Sequence, residues 1–256
     1  MDFYIAPEDE LLLHNYHTLP SECKKYWKKR YDLFSRFDEG VYMTSELWYS
    51  VTPEALAIFI ARLVKELLPN ARKILDVCCG GGGNAIQFAH YFPSVGAVDI
   101  LPNNLQCTVH NAGIYGVLDR IWTQLGDWNE LQNKTDWIPY GIRMKNKELK
   151  NEMFDFVFCS PPWGGPLYKK SGQFDLEQMK PFNLETLCGQ MRQFSSSFGF
   201  LLPRQLNLDQ IRDVTEKLKL GFCRTIYLSN DGREIGLLAL FGNAMMKEVD
   251  IDLLIY

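Results

Sequence analysis

No apolar run in this 256-residue chain approaches the roughly 18–20 residues that a membrane-spanning helix needs, so no membrane partner is expected. The seven cysteines are odd in number and form no CxxC pair, which argues against a disulfide framework and favours reduced, mostly buried thiols. His14, His17 and Cys23 make only an incomplete ligand pattern, and we predict no metal. Residues 1–10 are acidic and show no secretory signal, so the cytosol or nucleus is the expected location.

An overall basic charge is also missing. The net charge is −4 and the sequence pI about 5.6, unlike a protein that coats long nucleic acids. Residues 24–31 are the local exception, with five cations and three aromatic residues among eight. A charge run is most often a solvated helix face. The interleaved aromatic residues make this run the better candidate for contacting phosphates and bases than the diluted basic run at 143–150.

The order of apolar patterns predicts one α/β domain behind an N-terminal extension. We assign residues 1–50 to a mainly helical extension that acts as a lid, and residues 51–256 to the main domain. A helix should begin at Thr52-Pro53-Glu54, with Thr52 as N-cap and Pro53 as the first helical residue. The chain contains no internal repeat, and its 46% apolar content supports a substantial core.

Strands and helices then alternate. The predicted strands cover residues 73–78, 94–99, 120–125, 154–159, 197–202, 222–228 and 234–241, and helices are expected within 84–91, 104–113, 176–193 and 208–217. This alternation predicts a parallel sheet with helices on both faces. The Asp231-Gly232 turn predicts a closing hairpin with one antiparallel edge strand. The expected fold is a seven-stranded, doubly wound, Rossmann-like sheet that binds ligands at the carboxyl ends of its strands.

The first strand leads into a glycine loop typical of a nucleotide-cofactor site. Gly80 and Gly82 allow the backbone to approach a ligand closely. The same glycines, with Asp99 further along, also fit a dinucleotide-binding enzyme. Asp76, just before the loop, would repel a pyrophosphate but suits the cationic methionine end of S-adenosylmethionine. Asp99 can accept ribose hydroxyls in either interpretation, and we favour the methyl donor because of a second motif.

That motif is Ser160-Pro161-Pro162-Trp163, which follows the fourth predicted strand. An exocyclic base amine is a poor nucleophile and must be held about 3–3.5 Å from the methyl carbon. The Ser160 hydroxyl and the Pro161 carbonyl are acceptors for the amine protons, and the prolines keep them rigid. Trp163 can stack on the base; the alternative is a core tryptophan. We therefore predict catalytic roles for Ser160, Pro161 and Trp163, with Ser160 also beside the cofactor.

Asp127 follows the third predicted strand in Gly126-Asp127-Trp128. It is placed to accept a hydrogen bond from the adenine amine of the cofactor. A turn aspartate that caps the next segment is an equally good interpretation.

Many motifs of this chain together resemble the cap trimethylguanosine synthases. The matching motifs lie at residues 25–27, 33–37, 47–54, 76–84, 86–89, 111–112, 115–116, 160–166 and 202–204. The resemblance implies a class I methyltransferase that uses S-adenosylmethionine. Its expected reaction puts two methyl groups, in successive steps, on N2 of the 7-methylguanosine cap of small nuclear and nucleolar RNAs. It also implies nuclear residence and small ribonucleoprotein proteins as partners.

The resemblance further implies roles for individual residues. Lys25, Tyr168 and Arg204 would contact the cap triphosphate, Asn111 the guanine edge, and Trp163 the base. The segment 50–54, with Thr52, would close over the cofactor. Further cofactor contacts are expected within the glycine loop, at Cys79, Gly80, Gly82 and Asn84. The chain departs from the family pattern at Cys78 and Gln205, and Gln205 puts the finer phosphate contacts in question.

Two other functions remain open at this point. Enzymes that methylate adenine N6 in RNA or DNA share a polar-Pro-Pro-aromatic motif, often with Asp or Asn where this chain has Ser160. A degenerate methyltransferase that only binds caps or a partner protein is the other possibility. The presence of Asp76, Asp99, Ser160 and Trp163 argues against that second possibility.

Overall fold

The structure is a computed structural model that describes residues 10–143, 152–164, 173–230 and 232–254. Within these residues one seven-stranded sheet is present, as the alternating pattern predicted. Its strands are β1 (Lys73–Val77), β2 (Ser94–Asp99), β3 (Ile121–Leu125), β4 (Phe156–Cys159), β5 (Phe198–Pro203), β6 (Cys223–Asn230) and β7 (Arg233–Phe241). Their order across the sheet is β3-β2-β1-β4-β5-β7-β6.

Strands β1 to β5 are parallel, and β7 runs antiparallel between β5 and β6. The prediction of an antiparallel edge strand was therefore wrong in position, because the antiparallel strand is the inner β7. Residues 236–241 are all buried, as an inner strand requires, whereas β6 is mostly half-buried or exposed. Order along the chain could not distinguish these two arrangements of the hairpin.

Eight α-helices with both ends described lie beside the sheet, in addition to a helical turn at residues 140–143. They are α1 (Arg30–Leu33), α2 (Leu47–Ser50), α3 (Glu54–Leu67), α4 (Gly83–Tyr91), α5 (Pro102–Ile114), α6 (Trp128–Leu131), α7 (Leu184–Met191) and α8 (Leu208–Lys217). Two buried clusters fill the two faces of the sheet. One joins α3, α4 and the N-terminal segment, and the other joins α7 and α8. The layers on both faces confirm the doubly wound arrangement.

The N-terminal segment is less helical than predicted. Residues 10–46 contain only the short 3₁₀ turns Lys24–Lys29 and Phe37–Glu39 and the four-residue α1. Aromatic packing holds the segment in place: Trp27 stacks on Trp48 with ring centroids 5.8 Å apart, and Phe37 lies edge-on to Trp48 at 5.6 Å. Packing against the main core, rather than helix propensity, therefore orders this extension. The domain division at residue 50 stays a prediction.

None of the helices in the described part of the chain is both long and apolar enough to cross a membrane.

Candidate active site

The glycine loop turns sharply between β1 and α4. Cys78, Gly80 and Gly82 have φ values of 60°, 55° and 86°, in the left-handed region that favours glycine. Cys78 adopts it with a side chain, a strain of about 1–3 kcal/mol that is common at functional sites. The turn delivers the chain to the start of α4 at Gly83, and the Gly80 and Gly82 amides within it donate to Asp99 and to the Cys79 carbonyl.

Asp76 lies beneath this loop near the carboxyl end of β1. Asp76 is 1% exposed, and among the described residues its carboxylate meets no cation and no side-chain donor, only the backbone amide of Ala85. Burial, followed by the nearby Asp99, raises the pKa of Asp76 well above its usual range. A buried carboxylate that meets only one amide is costly unless a cation or a further donor binds it. Asp76 therefore fits the ammonium group of a methionine-type cofactor.

Asp99 ends β2 and supports the glycine loop from the other side. Its carboxylate accepts hydrogen bonds from the amides of Gly80 and Leu101, at 2.8 and 2.9 Å, and from Asn104 Nδ2 at 3.2 Å. Burial still raises the pKa of Asp99. The carboxylate retains acceptor capacity beyond these three bonds, because two oxygens offer about four lone-pair sites. It is thus rigidly placed for the predicted ribose contact.

Thr52 does not cap α3 as predicted. The helix begins at Glu54 with Pro53 as its N-cap, and the cap makes no side-chain hydrogen bond. Instead the Thr52 hydroxyl accepts a hydrogen bond from Asn84 Nδ2 at 3.0 Å. The prediction was wrong because the hydroxyl finds a partner on α4, a contact that local sequence cannot show.

Two further predicted cofactor residues make structural contacts. Asp127 is the N-cap of α6 and accepts from the amide of Asn129 at 2.8 Å, so the capping interpretation is correct. The other carboxylate oxygen of Asp127 is not used by the helix cap, so the predicted contact with the adenine amine stays a prediction. Cys79 is buried, with its sulfur 3.6 Å from the Thr108 hydroxyl, and burial raises the pKa of its thiol well above the usual range.

Asn111 lies in the interior rather than at a ligand surface. Its side chain is fully buried, and its Oδ1 accepts from the Tyr42 amide at 2.8 Å. Its Nδ2 donates to the carbonyls of Tyr42 and Gly81, both at 3.0 Å. These contacts fasten the N-terminal segment to the glycine loop. The structure contradicts the expected guanine contact, because all of these amide groups point into protein.

The Ser160–Trp163 motif leaves β4 beside the glycine loop. β4 pairs with β1, and Cys159 lies opposite Val77 in the register. The indole nitrogen of Trp163 donates to the Leu201 carbonyl at 3.2 Å, and the ring is half-buried against the core. The hydrogen bond anchors the indole, which follows β4, to the neighbouring strand β5. Part of the ring remains exposed for a ligand.

The predicted phosphate contacts differ in how the structure places them. Lys25 is exposed, with its ammonium 5.0 Å above the Tyr26 ring. Arg204 follows β5 directly and donates from Nη1 to the Glu234 carbonyl at 2.9 Å. Tyr168 lies outside the described residues.

Glu46 is a site residue that sequence reasoning missed. It immediately precedes α2, and burial, then the charges of Asp99 and Glu10, raises its pKa. One oxygen of Glu10 accepts from the Ser45 amide at 2.6 Å, and the other is buried without a partner. These acids make the space around Asp99 negative. Residues 10, 46 and 99 form no recognisable sequence motif. Their proximity is therefore visible only in the folded structure.

No group of three or more His, Cys, Asp or Glu side chains in the described ranges is arranged to hold a metal ion.

Fold and site together define a class I, Rossmann-like methyltransferase that takes a methyl donor of the S-adenosylmethionine type. Solved structures support the fold. A human methyltransferase 10 domain-containing protein superimposes with a TM-score of 0.58 at 12% identity, covering 86% of this chain and 97% of that one.

Sequence comparison narrows the class further. The family model for RNA cap guanine-N2 methyltransferase matches residues 71–244, and the chain belongs to this family. Trimethylguanosine synthase of Saccharomyces cerevisiae is 42% identical over 227 residues, which are 87% of this chain and 68% of that protein. Trimethylguanosine synthase of Schizosaccharomyces pombe is 34% identical over 207 residues, covering 80% of this chain and 81% of that protein. The chain is therefore an RNA cap guanine-N2 methyltransferase, and adenine N6 methylation is not favoured.

Proposed function

We propose that this enzyme converts the 7-methylguanosine cap of small nuclear and nucleolar RNAs to the 2,2,7-trimethyl form, in two successive transfers to N2. The supporting observation is the pairing of β1 with β4. It brings the cofactor acid Asp76 and the Ser160–Trp163 motif to neighbouring strand ends. A methyl donor held at one and a flat base held at the other would meet at the same edge of the sheet.

S-adenosylmethionine supplies an electrophilic methyl group on its sulfonium centre. Asp76 would hold its ammonium group and Asp99 its ribose, while Asp127 would accept from its adenine amine. The glycine loop, with Cys79, Gly80, Gly82 and Asn84, would line the methionine end, and Thr52 would keep that loop closed through Asn84. These positions would fix the donor and leave the base to be aligned with it.

Trp163 would stack on the 7-methylguanine, whose N7 methyl group places positive charge on the ring. Stacking of the base on the indole would then be reinforced by cation–π attraction. The same ring charge makes the N2 protons more acidic. The Ser160 hydroxyl and the Pro161 carbonyl would accept these protons' hydrogen bonds and orient the lone pair of N2 toward the methyl group. Lys25 and Arg204, with Tyr168, would bind the triphosphate.

The natural partner on this proposal is a 7-methylguanosine-capped small RNA, brought by small ribonucleoprotein proteins. The corresponding compartment is the nucleus, including the nucleolus. The lid role of residues 1–50 belongs to the same proposal, and the bonds from Asn111 to Tyr42 and Gly81 stabilise the fold beneath the lid.

The test is single-turnover methylation with labelled S-adenosylmethionine on a 7-methylguanosine cap analogue, on GTP and on an uncapped RNA. We expect transfer to the cap analogue alone, located at N2 by mass spectrometry. Equal transfer to GTP would refute selection of the 7-methylated base. Transfer to an internal adenine of the uncapped RNA would instead establish an adenine methyltransferase.

A further inference from the structure

The basic run of the N-terminal segment forms an exposed strip, which we define as residues 24–31. Its first six residues form a 3₁₀ turn in which no residue is buried, and α1 continues directly from it. Lys25, Lys28 and Lys29 are exposed. The strip is therefore a surface feature, and folding of the core does not require its charges.

The cations of this strip form no direct ion pair with a described residue, although Arg30 is linked to Asp38 through the Tyr31 hydroxyl. Throughout the described residues, no carboxylate lies within salt-bridge distance of its five cations; the ion pairs found involve Arg36, Arg212 and Lys217. The whole chain carries a net charge of −4. A concentrated positive surface on an acidic protein attracts a polyanion locally rather than along the whole molecule.

Aromatic rings accompany the charges. The Lys24 ammonium lies 5.4 Å from the centroid of the Tyr16 ring, and the Arg30 guanidinium lies 4.0 Å from that of Tyr31. Tyr16 and Tyr31 are 47% and 43% exposed, so part of each ring is accessible, although Arg30 covers one face of Tyr31. Cations that neutralise phosphates beside rings that stack on bases are the pattern of single-stranded nucleic acid sites. A lipid or acidic protein surface would give the exposed rings no base to stack on.

The strip also borders the active site. Trp27 stacks on Trp48, and the Tyr26 ring is 6.2 Å from that of Tyr49, so the strip rests on α2. The chain continues from α2 to Thr52, which is hydrogen-bonded to the cofactor loop through Asn84. Lys25, the proposed triphosphate contact, belongs to the strip. Lys28 and Lys29 are exposed on the same 3₁₀ turn as Lys25, three and four residues further along the chain.

We propose that residues 24–31 bind the nucleotides that follow the cap, with Lys28 and Lys29 on their phosphates and the tyrosine rings beside their bases. The partner is single-stranded RNA at the 5′ end of the substrate. This inference rests on the proposed cap methylation and extends it from the cap to the RNA body. The enzyme would then favour capped RNA over a free cap nucleotide.

The test compares Lys28→Ala/Lys29→Ala with the unmodified enzyme on two substrates, free 7-methyl-GTP and a short capped single-stranded RNA. We expect KM to rise for the capped RNA and to stay unchanged for 7-methyl-GTP. Loss of two phosphate contacts lowers the log–log salt slope of RNA binding by about 1.4. On capped RNA, the ratio of the variant's KM to that of the unmodified enzyme should therefore fall by roughly sevenfold when salt is raised from about 50 to about 200 mM.

Arg72→Ala/Lys219→Ala is the matched control, because both residues are exposed and lie just before the amino ends of β1 and β6, at the edge of the sheet opposite the active site. It should leave both KM values unchanged. Equal KM values for the strip variant and the unmodified enzyme on capped RNA would overturn the proposal, and so would an equal rise on both substrates. Binding of a labelled uncapped RNA separates the two inferences. Suppose that the unmodified enzyme methylates no cap but binds the uncapped RNA, and that the strip variant binds this RNA more weakly. The proposal of cap methylation would then be refuted, and the proposal of an RNA-binding strip would still be supported.

Discussion

The side-chain amide of Asn84 donates a hydrogen bond to the hydroxyl of Thr52, with 3.0 Å between the two atoms. Thr52 and Asn84 are both buried, and they lie 32 residues apart in the sequence. The bond joins the segment before α3 to the first turn of α4, where the glycine loop ends. A Cβ atom added at Gly83 would lie 3.2 Å from Val51, so the two segments are also closely packed. A substitution that shifts one of these segments should therefore also shift the other.

Thr52→Val should weaken cofactor binding. The substitution leaves the Asn84 amide buried without a partner, at a cost of about 1–3 kcal/mol, because no other acceptor replaces the hydroxyl. If roughly 1 kcal/mol of this appears in cofactor binding, the Kd for S-adenosylmethionine rises about fivefold. Calorimetric titration measures it. Ser50→Ala is the control, since Ser50 lies in the same segment but bonds only to the Glu46 carbonyl. Equal Kd values for all three proteins would show that the bond does not support the loop.

Asp76→Asn should stabilise the cofactor-free protein while abolishing cofactor binding. Burial and the nearby Asp99 outweigh the one amide, of Ala85, that faces the carboxylate, so removing its charge relieves a penalty on the order of 1–3 kcal/mol at neutral pH. Urea unfolding checks the first effect, and a thermal shift with S-adenosylmethionine checks the second. Asp119→Asn neutralises an exposed acid and should change neither. Lower stability of the Asp76 variant without cofactor would mean that the charge has a partner in solution.

Cofactor affinity should fall as the pH is lowered toward the acidic range. Burial and Asp99 raise the pKa of Asp76 in the free enzyme, so acidification protonates it and removes the charge that attracts the cofactor ammonium. The same raised pKa also makes the stability of the folded protein depend on pH. Because the folded protein binds this proton more tightly than the unfolded chain, its stability falls as pH rises from the ordinary carboxyl pKa to the raised value. Titrations across that range should show proton release on binding, and a pH-independent Kd would contradict the assignment.

Trp163→Ala should raise KM for the cap and leave cofactor affinity within a few-fold. Loss of base stacking costs about 1–3 kcal/mol, which corresponds to roughly 5- to 150-fold in KM. Trp163→Phe keeps an aromatic face but loses the hydrogen bond to the Leu201 carbonyl. The KM of Trp163→Phe for the cap should lie between those of the unmodified enzyme and Trp163→Ala. Steady-state kinetics on a cap analogue will measure these KM values. Loss of cofactor binding in Trp163→Ala would instead mark the ring as a structural element.

Asn111→Ala should destabilise the fold without affecting cap recognition directly. It removes three hydrogen bonds from buried groups, so the free energy of unfolding should fall by about 2–4 kcal/mol. Urea unfolding measures the loss, and KM for the cap should be normal at a temperature where the variant is folded. A raised KM with unchanged stability would restore the guanine contact that the resemblance implied.

Local features of this protein could be predicted from its sequence. The five parallel strands are short apolar runs, and their alternation with helices decides the sheet type whatever the details of packing. The glycines after Asp76 permit a tight turn, and the prolines before Trp163 make the backbone rigid. Both effects are local, so a few residues of sequence are enough to predict the two motifs. The resemblance to cap-modifying enzymes depended on such local motifs, and the family comparison confirmed it.

Tertiary structure decided the partners of polar groups and the order of the last strands. Thr52 bonds to Asn84 instead of capping its own helix, and Asn111 bonds to Tyr42, 69 residues away. β7 lies inside the sheet because residues 236–241 are buried against β5, whereas β6 keeps an exposed face. These outcomes depend on which distant segments meet during folding. Residue type and spacing set local conformation, but a buried polar group is satisfied by whatever the complete fold brings within reach.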